Sequence, residues 1–458
     1  MKKEILEKVL SVRKNIMISG DIATGKSSNV VSPIINEIIN NKESLLILDT
    51  KEEYIKEYYR KLKDNEYKIE ILNLRDLTKS DSWNPLEYPY QLYKQGNIDR
   101  TIDYLDMLGK VIFEDNGSSD PFWSNSASDY FTGIVLGLFE DGTKEQINFA
   151  SINLMMVLGE ERFGGPKNNY MKEYINSKDP ARLVYVNASG TVFAPEETRG
   201  GILSVARQKM KDIITRENLM QILCKTTIDT DNIGKKPTAI FVIAKDENKA
   251  INNVATMFIE QIYQILIDKK AINHFNFVID NIETIDKINE LSNMLSSCIS
   301  RKMKFYLSTR SLNNFNEQYG SYIRTLIYHI KVNDHFIEFG DDDKIDNIKE
   351  VKNETFDEIE YPKLEKKEIG IFDIRKYVKE FKKKKMYSML EEENNNTLKK
   401  DINPFDSSVS SFNKENNDDI FSVDSLIKKI DDKIEELNRE EEREKIQNTK
   451  SRLEQFKI

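Results

Sequence analysis

Eight consecutive residues, Gly20-Asp21-Ile22-Ala23-Thr24-Gly25-Lys26-Ser27, fit the pattern GxxxxGKS, and Ser28 follows directly. Glycines let the backbone curl so that successive N–H groups point inward, which suits phosphate oxygens. In such a loop Lys26 sets its ammonium between the β- and γ-phosphates of a nucleoside triphosphate, and the Ser27 hydroxyl binds Mg2+. The chemistry expected of Gly20–Ser28 is therefore the binding of ATP with Mg2+. Asp21 would repel phosphates, so its carboxylate is expected to point outward to solvent.

A loop of this kind needs a second acid to hold Mg2+ through its water shell, placed at the end of a neighbouring strand. Asp280 closes the apolar run FNFVID, and Asp49 closes LLILD. Either can also be a plain turn-forming Asp; the reading favours Asp280 for the metal. Hydrolysis further needs a carboxylate to polarise the attacking water, expected directly after the metal-directed Asp. Asn281 stands there and cannot act as a base, while Glu283 lies two residues further on. Binding is thus read more firmly than turnover.

The elements that must position these residues are legible. Asn15–Ser19 (NIMIS) reads as a strand running into the loop, and Ser28–Asn40 carries Val31, Ile34, Ile35, Ile38 and Ile39 at helical spacing. Leu45–Leu48 and Tyr67–Leu74 read as strands around a helix, Tyr54–Leu62. Strand and helix alternating over short connections mark a parallel sheet covered on both faces. Helical patterns dominate residues 76–233. Strand signals return at Ala239–Ala244, Phe275–Ile279, Lys304–Leu307 and Tyr328–Val332, with a long helix at Ala250–Ile267. The expected organisation is an α/β nucleotide-binding domain from residues 1–75 and 234–340, with a mostly α-helical insertion at 76–233. A polar extension (341–391), a disordered linker (392–420) rich in Asn, Ser, Asp and Lys, and an amphipathic helix (421–458) are expected to follow. The stripe Val423, Leu426, Ile427, Ile430, Ile434 and Leu437 suits either docking on the chain's own core or binding a partner.

Composition narrows the class. Hydrophobic residues make up 39% of the 458 and the net charge is −9, which suits a large core and disfavours a globally basic nucleic-acid binder. Cys224 and Cys298 stand alone, and His274, His329 and His335 show no metal-ligand spacing. No apolar run approaches the ~20 residues of a membrane helix. The expectation is a cytoplasmic chain without an intrinsic span, or one held at the inner face of the membrane by partners.

Around the loop, further blocks become recognisable. Leu46–Glu53 (LILDTKEE), Trp83-Asn84-Pro85-Leu86, Asp120-Pro121-Phe122-Trp123 with Ser126-Ala127, Thr198-Arg199-Gly200-Gly201-Ile202, Gln261 and Tyr319-Gly320 occur in order. In these the chain resembles the TraG/TraD coupling proteins of type IV secretion and conjugative DNA transfer. The resemblance implies a RecA-like P-loop fold with an all-α domain between sheet strands, assembled as a homo-hexamer. It implies Lys26, Ser27 and Asp280 as nucleotide and Mg2+ residues, and Arg199 as a contact to a neighbouring subunit's nucleotide. Implied partners are single-stranded DNA or a relaxase–DNA complex, and components of the secretion channel. Arg207, Lys209, Lys211 and Lys382–Lys385 are candidates to grip DNA phosphates, or simply solvated charge. The sequence departs from the family at Asn281 for a Glu, Arg310 for a Gln, and Thr50 and Glu52 for a Pro and a Gly, and none of its apolar runs is expected to form the family's membrane helices.

These features imply a coupling ATPase that delivers DNA, or a protein, to a secretion channel. One alternative is an ATP-binding, hydrolysis-deficient relative acting as a docking or regulatory module. Another is a DNA translocase of the FtsK kind, against which the Trp83 and Asp120–Trp123 blocks argue.

Overall fold

The computed structural model describes residues 3–400, except 22, 115–119, 166, 248–250, 271, 334–335, 340–342 and 347–358. The chain divides into two compact units, Met1–Tyr387 and Ser388–Ile458. In the first, one sheet carries nine strands in the order β3-β4-β2-β5-β6-β1-β7-β8-β9. They are β1 (Asn15–Ser19), β2 (Ser44–Leu48), β3 (Lys68–Asn73), β4 (Thr238–Ile243), β5 (Phe275–Ile279), β6 (Met303–Thr309), β7 (Ile327–Val332), β8 (Phe336–Phe339) and β9 (Asp343–Asp346). From β3 to β7 every pairing is parallel, while β8 and β9 add antiparallel at one edge.

The near-continuous apolar strands follow from burial of both faces. Because side chains alternate across a strand, Ile16 and Ile18 enter one core and Met17 the other. In the same way Leu45 and Ile47 face opposite to Leu46 and Leu48. The first face packs α2 (Ser32–Asn40) and α3 (Glu53–Asp64) through Ile34, Ile35, Ile38, Tyr58 and Leu62, with Val9 of α1 (Lys3–Ser11) in the same cluster.

The chain leaves the sheet after β3 and returns at β4. Between them lie α4 (Glu87–Lys94), α5 (Ile98–Phe113), α6 (Phe122–Asp141), α7 (Phe149–Leu158), α8 (Tyr170–Asn176), α9 (Leu183–Val192), α10 (Glu196–Ile214) and α11 (Glu217–Ile222). Helix α6 is buried along its second half, Tyr130 to Phe139, which places it at the centre of this helical bundle. Helix α12 (Asn253–Asp268) joins bundle to sheet, since Phe258, Ile262 and Leu266 share one core with Phe277 and Phe305. Two further helices, α13 (Leu291–Ser297) and α14 (Leu312–Tyr319), follow β5 and β6.

The motif residues Trp83 and Gln261 are the seam between the two parts. Trp83 Nε1–H donates to Gln261 Oε1 at 2.8 Å, and Gln261 Nε2–H donates to the Pro85 carbonyl at 2.8 Å. The indole also meets Phe258 edge-on, with centroids 5.0 Å apart. Two other blocks meet as well: a Cβ on Gly201 would lie 2.5 Å from Trp123 Cζ3, so the glycine is the seat of that ring.

The region read as a polar extension is partly core. Phe372, Ile374 and Val378 are buried in the same cluster as the helical bundle. Asn148 Nδ2–H donates to the Gly370 carbonyl at 2.8 Å, and the Phe372 N–H donates to Ser151 Oγ at 3.0 Å. The disordered linker expected from residue 392 is corrected over its first part: α15 (Ile374–Lys400) continues through it. The Lys, Glu and Leu in that stretch are good helix formers, which a composition-based reading overlooks. The rest of the expected linker (401–420) and the terminal amphipathic helix (421–458) lie outside the described residues.

Candidate functional site

The strand order places three loops side by side, because β5, β6 and β1 are neighbours and all parallel. The Gly-rich loop leaves β1, Arg310 leaves β6 and Asp280 leaves β5. This is the carboxyl end of a parallel sheet, where open α/β folds collect their ligands.

The loop is built as its sequence demands. Gly20 N–H donates to the Thr309 carbonyl at 3.3 Å, and a Cβ at Gly20 would collide with the Val332 carbonyl. Gly25 holds φ +77° and a Cβ there would strike Asn29 Nδ2, so the position requires glycine twice over. Ala23 also holds a positive φ, 65°. Thr24 Oγ1 donates to the Asp21 carbonyl at 2.9 Å, and the Asp21 side chain is exposed as expected. Ser28 Oγ donates weakly to the Gly25 carbonyl at 3.4 Å. Ile22 lies outside the described residues. The following helix opens with a π-helical turn, Ser27–Val31, before α2 begins. Its N-terminal end faces the loop, as an anion site requires.

Lys26 is 6% exposed and donates from Nζ to the Gly20 carbonyl at 2.5 Å. Burial lowers its proton affinity; Asp280 and Glu283 oppose that shift and Arg310 adds to it. Ser27 Oγ donates to Asp280 Oδ2 at 3.1 Å. Tyr54 OH donates to the same oxygen at 2.7 Å, and Ser308 Oγ–H donates to Oδ1. Asp280 is therefore a buried carboxylate held by three hydroxyls. The residues fit a triphosphate with magnesium: a cradle closed to any Cβ at Gly25, a buried ammonium at its base, and a hydroxyl–carboxylate pair beside it.

Asp49 plays another part. Its carboxylate accepts the N–H groups of Lys51, Glu53 and Ile55 at 3.3, 3.1 and 3.0 Å, fixing the turn into α3. Burial pushes it up to about 6 against those three donors. Of the two acids considered, the structure seats Asp280 against Ser27.

Asn281 follows Asp280 in a left-handed conformation, φ 52°, and its N–H donates to Ser308 Oγ at 2.9 Å. Glu283 lies close enough for its charge to act on Lys26. Glu283 Oε1 accepts the Arg310 N–H at 2.9 Å and sits 3.7 Å from Arg310 Nε.

Other sequence candidates are engaged elsewhere. Arg199, on α10, pairs with Glu160 at 3.3 Å and its side chain is 15% exposed, so in this chain it faces the helical bundle. Arg207 Nη2–H donates to the Met156 carbonyl at 3.0 Å, and Lys209 Nζ reaches the Glu114 carbonyl at 3.4 Å. Lys382 pairs with Glu173 at 3.0 Å and lies over the Phe163 ring. Lys211 is exposed. Among the described residues no His/Cys/Asp/Glu group is arranged to hold a metal by itself, and no helix is long and apolar enough to cross a membrane. Sequence reasoning missed Tyr54 and Ser308. The only available signal was a hydroxyl-bearing residue at the end of a core strand and another just inside α3.

A mostly parallel sheet with a Gly-rich loop leading into a helix at one strand, and an acid two strands away, defines the RecA-like P-loop NTPase fold. The model of the type IV secretory system conjugative DNA transfer family matches residues 14–356, and the chain belongs to that family. Among curated protein sequences nothing matches significantly. Among solved structures it is similar to the bacterial conjugative coupling protein TrwBdeltaN70 in complex with sulphate, at 11% identity and TM-score 0.52, covering 70% of each chain. It is also similar to plasmid coupling protein TrwB in complex with the GTP analogue GDPNP, at 12% identity, TM-score 0.50, and 69% and 68% coverage of this chain and that one. The complex of TrwB with ADP and Mg2+ matches at 11% identity, TM-score 0.50, and 69% and 70% coverage. At these identities the likeness is one of fold.

Proposed function

We propose that this chain is a coupling ATPase that binds ATP with Mg2+ and couples it to delivery of DNA, or of a protein, to a type IV secretion channel. The observation that carries the reading is the 3.1 Å contact between Ser27 Oγ and Asp280 Oδ2, formed across 253 positions of sequence beside Lys26. In this reading the loop amides of Gly20–Ser28 and the Lys26 ammonium hold the phosphates. The Ser27 hydroxyl and Asp280 hold the metal, and the bound Mg2+ supplies charge neutralisation at the phosphates. Glu283 is the carboxylate that orients water. Family membership supports single-stranded DNA or a relaxase–DNA complex, and channel components, as partners. Assembly as a homo-hexamer and attachment to the inner face of the membrane through partners belong to the same reading.

A second reading is favoured by one observation: the residue after Asp280 is Asn281, which has no carboxylate. On it the chain binds ATP as a switch and does not turn it over. Steady-state ATPase measurement with and without single-stranded DNA separates the two. Turnover that disappears in Lys26→Ala supports the motor. Tight ATP binding without turnover in every oligomeric state removes the motor and leaves the switch.

A further inference from the structure

A cleft of about 380 Å3 lies between α5, α12 and α13, where the helical bundle meets the sheet. Glu260 of α12 lines it although the residue is only 3% exposed. Its Oε1 accepts the Asn289 N–H at 2.8 Å, and among the described residues no donor reaches Oε2. A carboxylate has several acceptor positions, so a buried one held by a single neutral donor is under-satisfied. Burial, opposed first by the Asn289 N–H, pushes its carboxyl up to about 8.

The cations that line the cleft are engaged elsewhere. Arg100 donates from Nε to Asp268 at 2.8 Å, from Nη1 to Asp103 at 3.0 Å and from Nη2 to Gln264 at 2.7 Å, so each nitrogen of its fork is taken. Arg301 Nη1–H donates to the Ser297 carbonyl at 3.1 Å. Lys110 pairs with Glu290 at 3.5 Å in an exposed contact. Asp106, one helical turn after Asp103, also lines the cleft and accepts no hydrogen bond among the described residues. Two carboxylates thus face the cleft without a hydrogen-bonded cation, Glu260 at its floor and Asp106 at its exposed rim. The wall also carries Met107, Ile267 and Met294. Among the described residues no three acids are gathered to hold a metal ion. The complement of this lining is an organic cation with its charges set apart along an aliphatic chain.

We propose that this cleft binds an aliphatic diamine or polyamine, with one ammonium on Glu260 and another on Asp106. An ammonium carries three donors and no acceptor, which suits a site whose free groups are acceptors. The bond to Glu260 is charge-assisted and shielded from water, whereas that to Asp106 is exposed and weaker. The methylenes between the charges lie along Met107, Ile267 and Met294, a contact that a hydrated metal ion cannot make. A ligand there touches α5 of the bundle together with α12 and α13 over the sheet, so its binding holds the two parts of the fold together and raises stability by mass action. Its occupation does not require a nucleotide on Gly20–Ser28.

The test is calorimetric titration of putrescine, spermidine and the monoamine n-butylamine into the full chain without nucleotide, and into Glu260→Gln, Asp106→Asn and Asp64→Asn. The last removes an exposed carboxylate from α3, on the opposite face of the sheet, and reports unspecific attraction to an acidic chain. Unfolding temperatures check that the variants fold; Glu260→Gln keeps an acceptor for the Asn289 N–H, and Asp106 is exposed. The wild type is expected to bind the diamine or the polyamine at one site, at least about fivefold more tightly than n-butylamine. Glu260→Gln should weaken that binding by about tenfold to a hundredfold, the size of a lost charge-assisted bond. Asp106→Asn should weaken it by about twofold to fivefold, as suits an exposed pair. Asp64→Asn should leave it unchanged. A wild type that binds none of the amines, or binding that a folded Glu260→Gln and Asp106→Asn both retain in full, overturns the proposal and leaves the nucleotide reading standing. Should Glu260→Gln fail to fold, an undiminished affinity in Asp106→Asn or equal affinity for putrescine and n-butylamine overturns it.

Discussion

Tyr54 and Ser27 donate to the same oxygen of Asp280, at 2.7 and 3.1 Å. In the proposed reading the serine turns toward the metal when nucleotide binds; the tyrosine has no such second duty. Tyr54 lies in the first turn of α3, within the stretch that Asp49 caps, and is buried. It ties the helix after β2 to the acid after β5, and so keeps the carboxylate aimed when Ser27 lets go.

Tyr54→Phe is accordingly expected to weaken Mg2+ dependence more than nucleotide affinity. Removing a hydrogen bond to a buried carboxylate costs about 1.5–3 kcal/mol. Nucleotide binding in EDTA should change little, while the Mg2+ concentration for half-maximal enhancement rises about tenfold or more. Titrating Mg2+ at fixed nucleotide checks this. An unchanged midpoint would show that Asp280 is positioned without the tyrosine.

The seam at Gln261 should be a stability site and not a chemical one. Gln261→Leu strands the Trp83 indole N–H and the Pro85 carbonyl, both buried. Each unsatisfied group costs about 1–3 kcal/mol, so a loss of about 2–6 kcal/mol is expected by chemical denaturation. A change below about 1 kcal/mol, close to the size of an ordinary surface effect, would mean the seam tolerates separation.

Two glycines in the helical bundle should respond differently to alanine. A Cβ at Gly133 would meet Ala188 backbone N at 2.8 Å and Cα at 3.0 Å, atoms of α9 that cannot step aside. A Cβ at Gly201 first meets the Trp123 ring, which is 37% exposed and can tilt outward. Gly133→Ala is expected to cost about 1–3 kcal/mol or more by overpacking. Gly201→Ala should cost less and shift Trp123 emission to the red, read in a Trp83→Phe background. Equal costs at the two sites would contradict the packing argument.

Glu260 gives the fold a pH signature. It is buried on α12, accepts the Asn289 N–H at 2.8 Å, and burial pushes its carboxyl up to about 8. The unfolded chain ionises it near its ordinary value of 4.5. Between those two values the folded state binds the extra proton, so this contribution is full at acid pH and declines as pH rises to about 8, by about 1.4 kcal/mol per pH unit at most. Glu260→Gln should flatten the stability profile over that window. A wild-type profile that rises from pH 5 to 8, unchanged by the substitution, would contradict a neutral Glu260.

Much of the fold is legible in the string of residues alone. Periodicity and the GxxxxGKS pattern locate β1, the loop, α2 and the strands β4 to β7, because local hydrophobic spacing and turn chemistry decide those elements. Asp280 is legible for the same reason: an acid ending an apolar strand is a local signal. What is not legible depends on contacts between distant segments. Tyr54 and Ser308 reach Asp280 only because β2, β5 and β6 are neighbours, and that order is not written in any one of them. The role of Asp49 as the cap of the turn into α3 likewise rests on three backbone N–H groups brought together only by the folded turn. Residues 359–387 look polar as a string, yet Phe372, Ile374 and Val378 find a place in the bundle's core. The pairing of Arg199 with Glu160, and of Arg207 with the Met156 carbonyl, shows why a cation in sequence says little of its partner.

The central claim is that Ser27 and Asp280 hold magnesium for a triphosphate seated on Gly20–Ser28. The most direct measurement is the affinity of a non-hydrolysable ATP analogue for the wild-type chain and for Asp280→Asn, each in Mg2+ and in EDTA. The account predicts that Mg2+ tightens binding by about tenfold or more in the wild type, and that this gain is lost in Asp280→Asn while metal-free binding persists. Wild-type binding that is indifferent to Mg2+, or a gain that survives in Asp280→Asn, would contradict it.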